Sequence, residues 1–157
     1  MTGYAAPLRD MAFVLDEIAS IDEIAALPGY GEASADLVGA VLAEGGRFAA
    51  EVLAPLNHGG DVEGSRLENG LVRTPAGFRE AYARFVEGGW NSVPFDPAFG
   101  GQGLPWVVDT ALQEMWNSAN MSFALCPLLT QGAVELLQAH GSAEQKQTYL
   151  PNMIAGR

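Results

Sequence analysis

The chain has 157 residues, 48% of them hydrophobic and 17% charged, with a formal net charge of −11. That supplies the apolar material for one domain core and excludes an intrinsically disordered acidic tail. With 8 Lys and Arg against 19 Asp and Glu, it also lacks the basic footprint that a nucleic-acid partner requires.

The first helix is expected where Leu8, Met11, Leu15 and Ile18 recur at helical spacing behind Pro7, which suits a first turn. A short apolar piece, Ile21 to Leu27, ends at the breaker pair Pro28-Gly29. A long helix follows, with Ser34 as N-cap, Asp36 in the first turn, and a stripe of Leu37, Val41, Phe48, Val52 and Leu56. Gly45-Gly46 fills the gap in that stripe, and the close approach of another helix is the simplest reason for it. From Asn57 to Thr74 the pattern is polar and glycine-rich. Within it, Arg66 to Arg73 reads as a hairpin on an Asn69-Gly70 type I′ turn.

Thr74-Pro75 predicts the next helix start, with Phe78, Tyr82 and Phe85 on one face and Gly88-Gly89 as the stop. Pro105 opens a helix bearing Val108, Leu112 and Met115, with Trp116 beside that stripe; the period breaks at Asn117-Ser118-Ala119-Asn120. Asn120 is expected to cap a further helix reaching about His140, bent near Pro127 and closed by Gly141 at a left-handed C′ position. Ser142 to Gln145 forms a capping box, and Pro151 is expected to stop or jog the last helix at Tyr149-Leu150. The fold class is therefore all-α, a bundle of about six helices with one small β-hairpin.

No catalytic constellation stands out. Gly100-Gly101-Gln102-Gly103 before a helix could cradle an anion. It lacks both the third glycine of a dinucleotide fingerprint and the Lys-Ser/Thr of a P-loop, so a tight turn is the better reading. His58 and His140, the only histidines, have no second ligand at metal spacing. Glu114 reads as a helix-surface glutamate in a charge pair, and Trp90, Phe95, Phe99 and Trp106 as one aromatic cluster around the turn. The single cysteine, Cys126, excludes an internal disulfide and reads as a small core hydrophobe in a reducing compartment. Met11 to Leu15 is too short for a signal-peptide core and no stretch reaches the ~20 apolar residues of a membrane span, so a cytoplasmic protein is expected.

Two segments together carry a family resemblance. Pro94-Phe95-Asp96-Pro97-Ala98-Phe99-Gly100-Gly101-Gln102-Gly103-Leu104-Pro105 resembles the acyl-CoA dehydrogenase turn P-E-x-Y/F-G-G-x-G-L-P. Gly141 to Gly156, containing Glu144-Gln145-Lys146 and Tyr149-Leu150-Pro151, is similar to that family's G-x-x-E-Q-K-x-x-Y-L-P-x-L-A-x-G. The likeness covers roughly residues 34–157, the helical N-terminal domain, with residues 1–33 as an extension packed on the bundle. That extension looks like the one in a larger subgroup that includes enzymes similar to 3-methylmercaptopropionyl-CoA dehydrogenase.

The resemblance implies oxidation of the Cα–Cβ bond of an acyl-CoA thioester by FAD. Electron-transfer flavoprotein is the implied acceptor and a homo-oligomer the implied assembly. It also implies that a middle β-domain and a C-terminal helical domain, past Arg157, hold the flavin and supply the base, leaving this segment alone inactive. Carried over by position, Phe123, Cys126, Pro127 and Thr130 would form one wall of the acyl pocket, with no catalytic, cofactor or metal residue here. The alternative is a stand-alone helical protein-interaction module.

Overall fold

The computed structural model of the protein describes residues 3–157. The chain begins with α1 (Leu8–Phe13), a π-turn (Val14–Ile18), α2 (Ile21–Ala25), α3 (Ala35–Phe48), a second π-turn (Ala49–Leu53) and α4 (Ala54–Glu63). It continues through the hairpin β1 (Arg66–Glu68) and β2 (Leu71–Arg73), α5 (Phe78–Glu87), a 3₁₀ turn (Pro97–Phe99), α6 (Trp106–His140) and α7 (Ala143–Ile154). Since α3, its π-turn and α4 form one rod, this is the expected all-α bundle of about six helices with one hairpin. No helix among the described residues is long and apolar enough to cross a membrane.

Ser34 caps α3, its Oγ accepting the Leu37 N–H at 3.3 Å. The buried stripe, however, lies one residue later than the spacing of large side chains suggests. Val38, Leu42, Gly45, Ala49 and Leu53 are buried; of the expected stripe Val52 is buried too, while Leu37 is exposed and Val41, Phe48 and Leu56 are half-buried. Small residues set this register. A Cβ on Gly45 would stand 2.4 Å from Leu112 Cδ2 of α6, and one on Gly46 would meet Ala6 Cβ at 3.0 Å. The helices approach where a side chain is missing, and the large residues flank the contact. The rod also runs on to Glu63, through residues read as polar loop; α4 buries none of its side chains, so no apolar periodicity marked it in the sequence.

The hairpin pairs antiparallel, with Leu67 opposite Val72. Asn69 (φ 52°) and Gly70 (φ 78°) form its turn, and all six strand residues are exposed. Helix α5 starts at Phe78, later than Thr74-Pro75 suggests. Gly77 precedes it at φ 82° with Leu56 packed where a Cβ would sit, so the chain is still turning at Pro75. Its expected face holds, with Ala81 and Phe85 buried and Phe78 and Tyr82 half-buried.

Helix α6 consists of two helical segments joined across a kink at Asn120 (φ −161°, ψ 88°). Pro127 keeps helical geometry, so the break belongs to the asparagine and not the proline. Gly141 (φ −68°, ψ 148°) is extended rather than left-handed. Its glycine provides room, because a Cβ there would lie 2.6 Å from the Leu137 carbonyl oxygen.

The capping box forms as expected: the Ser142 hydroxyl accepts the Gln145 N–H at 3.2 Å, and Gln145 Oε1 accepts the Ser142 N–H at 2.8 Å. Helix α7 then runs through Pro151 to Ile154. Leu150 and Ile154, on either side of the proline, are buried against Phe95 and Val134. That packing outweighs the one hydrogen bond the proline removes. Everything else in the core belongs to a larger cluster reaching from Met11 to Ala124.

Candidate functional site

The glycine turn is closed on itself. Six consecutive N–H groups are engaged: Phe99 and Gly101 to the Asp96 carbonyl, Gly100 to Pro97, Gln102 to Ser92, Gly103 to Phe95 and Leu104 to Val93, at 2.8–3.1 Å. The Asp96 carboxylate takes the Ala98 N–H at 2.8 Å, and Gln102 Nε2 donates to the Gly89 carbonyl at 2.7 Å. Gly101 is required by space, since a Cβ there would overlap the Phe95 carbonyl oxygen at 1.9 Å. With its amides occupied, the turn does not fit a phosphate or the pyrophosphate of a dinucleotide. It aims α6 instead.

The aromatics expected around the turn divide between the two cores. Trp90 joins Phe48 and Trp116 in the larger one, at ring-centroid distances of 6.2 and 5.4 Å. Phe95 pairs edge-on with Trp106 at 5.8 Å, and Phe99 packs on the smaller cluster.

The four residues expected to form a wall also divide. Phe123 and Cys126 line a cleft of ≈ 660 Å³ between the end of α4, the start and end of the hairpin segment, α5 and α6. Phe78, Arg79, Tyr82 and Ser122 complete its sides. The Phe123 ring is buried and lies 6.4 Å from both Phe78 and Tyr82 and 5.6 Å from Phe85. Cys126 is exposed, contrary to its reading as a core residue. The helix turns the next residue, Pro127, toward the core, and the thiol is left at the cleft. Pro127 and Thr130 do not line the cleft; they border a small cavity of ≈ 10 Å³ with Tyr82, Phe85, Asn91, Gln131 and Met153. Arg79 puts a guanidinium on the cleft rim, and Phe78 and Tyr82, read from sequence only as a core stripe, prove to be cleft residues.

Sequence reasoning missed a buried polar chain. Asp109 on the first half of α6 is 2% exposed, and both its carboxylate oxygens accept from Gln131 Nε2 on the second half, at 3.2 and 3.1 Å. Gln131 Oε1 in turn accepts from Gln113 Nε2 at 3.2 Å. Burial pushes the Asp109 carboxyl up from 3.8 to about 6; the carboxamides of Gln131 and Gln113 oppose that rise and the charge of Glu135 adds to it. Nothing local announced this, because an aspartate in a first helical turn usually serves the helix dipole from the surface. Glu114, by contrast, is exposed as expected but forms no salt bridge among the described residues. Among the described residues the one salt bridge joins Glu44 and Arg47. His58 and His140 are both exposed, and no group of three or more His, Cys, Asp or Glu among the described residues could hold a metal ion.

Comparison with known proteins gives this geometry a family. The acyl-CoA dehydrogenase N-terminal domain model matches residues 40–157. A 3-methylmercaptopropionyl-CoA dehydrogenase of Ruegeria pomeroyi is 47% identical over 154 residues, covering 98% of this chain and 26% of that protein. A butyryl-CoA dehydrogenase of Syntrophomonas wolfei is 28% identical over 157 residues, covering 98% and 26%. A broad-specificity linear acyl-CoA dehydrogenase of Mycobacterium tuberculosis is 28% identical over 153 residues, covering 94% and 24%. The chain thus spans about a quarter of the length of these curated relatives. The family model covers most of the chain and the 47% identity extends over nearly all of it, so the chain belongs to the acyl-CoA dehydrogenases as their N-terminal domain.

Proposed function

We propose that this segment works within a flavin-dependent acyl-CoA dehydrogenase, where it forms one wall of the acyl pocket in the oxidation of a Cα–Cβ bond. The observation that carries this reading is the apolar cleft in which Phe78, Tyr82, Phe123 and Cys126 converge. Its ≈ 660 Å³ lies in the range of small-molecule sites. Pro127 and Thr130 buttress this wall from behind. The 47% identity to a 3-methylmercaptopropionyl-CoA dehydrogenase favours a short acyl-CoA as substrate. FAD and the catalytic base are assigned to other segments of the polypeptide, and the segment alone is inactive. We assign the enzyme to the cytoplasm, as a homo-oligomer passing electrons to electron-transfer flavoprotein. Residues 1–33 serve as an extension to the domain of residues 34–157, a division supported by the family match beginning at residue 40.

A second reading, a helical module acting only through protein contacts, draws on the outer face of α6, where Met121, Leu125, Leu128, Leu129 and Leu136 are all exposed. One experiment separates the two. The full polypeptide carrying this segment is purified and assayed with 3-methylmercaptopropionyl-CoA and butyryl-CoA and an artificial electron acceptor. Bound flavin and turnover are expected, with Phe123→Ala changing the preference between the two substrates. A flavin-free protein without turnover overturns the dehydrogenase reading and leaves the module.

A further inference from the structure

The break in α6 is built by one side chain. Asn120 is 1% exposed and is the single non-helical residue within the 35 of α6. Its Oδ1 accepts the Phe123 N–H at 3.1 Å, which caps the second half of the helix. Its Nδ2 donates to the Leu53 carbonyl at 3.2 Å. Leu53, fully buried, is the last residue of the π-turn joining α3 to α4. The amide orientation follows from chemistry, because Phe123 offers a donor and Leu53 an acceptor and the reverse placement would satisfy neither. One carboxamide therefore ties the start of a helix to a turn 67 residues away in sequence.

The consequence falls on the cleft. A cap alone starts a helix but does not fix its rotation at that end. The bond to Leu53 adds that constraint one turn before Phe123 and two before Cys126, the two wall residues that reach the cleft, and so works beside the buried side chains further along. Phe123 then meets Phe78 and Tyr82 at a fixed angle. Placing a π-turn at the other end is consistent with the frequent use of such turns at functional sites.

We propose that Asn120 is a positioning residue for the cleft wall, its two hydrogen bonds setting the rotation of the helical turn that carries Phe123 and Cys126. The proposal rests on the assignment of those residues to the acyl wall. Its test uses no acyl-CoA, so either statement can fail without the other.

The test is NMR on the isotopically labelled chain, alone and as Asn120→Asp and Asn120→Ala. In the parent chain the Asn120 side-chain amide protons should exchange at least about tenfold more slowly than those of the exposed Asn57, as expected for a buried and bonded group. Asn120→Asp keeps a cap acceptor but turns an oxygen toward the Leu53 carbonyl. The Phe123 N–H should stay protected while the ring contacts of Phe123 with Phe78 and Tyr82 shift. Asn120→Ala should lose both, with Phe123 N–H exchange rising about fivefold or more, while α7 amides are unchanged. Full retention of the Phe123 ring contacts in Asn120→Asp overturns the proposal. So does solvent-rate exchange of the parent Asn120 amide, a measurement that stands even where a variant fails to fold.

Discussion

The two halves of α6, joined across the kink at Asn120, are both helical and share almost nothing else. Before Asn120 the helix is enclosed: Val108, Asp109, Ala111, Leu112, Met115, Trp116 and Ala119 are buried, and Gly45 of α3 presses against Leu112. After Asn120, Phe123, Ala124, Pro127, Gln131 and Val134 face inward, while Met121, Leu125, Leu128, Leu129 and Leu136 face out. The first half obtains its stability from this domain. The second carries apolar surface on both sides, and a contiguous face of that kind marks a contact surface. A long helix can thus belong to a core at one end and be an interface at the other, with an asparagine at the boundary.

The strongest test of this contrast is a matched pair of truncations. Leu112, 1% exposed, and Leu129, 76% exposed, lie on opposite sides of the break. Leu112→Ala is expected to lower the unfolding free energy by about 2–5 kcal/mol. Leu129→Ala should change it by no more than about 0.5 kcal/mol. Urea titration followed by circular dichroism measures both. Similar losses in the two variants would abolish the distinction.

Next in size is the link between the halves. A carboxyl raised from 3.8 to about 6 on folding binds its proton more tightly in the folded chain than in the unfolded one. Its ionisation therefore costs nothing below both values. The cost then grows as pH rises from about 4 to about 6, and it is complete above that. Asp109→Asn, which can still accept from Gln131, should stabilise the protein at pH 7 by about 1–3 kcal/mol. It should also flatten the stability profile across that window. Thermal melts at half-unit pH steps would show it, and a variant less stable than the parent at pH 7 would mean that the ionised carboxylate, bonded to Gln131, holds the halves together.

The smallest effect on stability accompanies a change in assembly. The chain should self-associate at high concentration through the outer α6 face, and Leu125→Glu with Leu129→Glu should return it to monomer while shifting the unfolding free energy by less than about 0.5 kcal/mol. Sedimentation of the parent and the double variant decides this. A parent that stays monomeric would remove the second half of α6 as an interface.

Much of the architecture could be read from short-range chemistry. Ser34 and Ser142 cap their helices, Asn69-Gly70 turns the hairpin, Asn120 breaks α6 and Gly100 to Gly103 reverses the chain, each as its own atoms dictate. The caps and the hairpin turn depend on neighbours within about four residues and the glycine turn on partners within about a dozen, and the sequence displays those directly. The family resemblance rested on the same local motifs, which is why it held.

Tertiary packing settled the remainder. The register of α3 was decided by how closely α6 could approach Gly45, and α7 continued through Pro151 because Leu150 and Ile154 had a core to fill. Asp109 went inside because Gln131, 22 residues away, could hold both its oxygens. Of the four residues that the family resemblance assigned by position to a pocket wall, the packing of α5 and the hairpin segment brought Phe123 and Cys126 to the cleft, while Pro127 and Thr130 line a different cavity. Local sequence determined the capped starts at Ser34, Asn120 and Ser142, while the start of α5 and the run of α7 past Pro151 were decided by packing. Which face each one buries depended on the shape of a partner far along the chain, because burial is a property of two surfaces and a sequence window contains one.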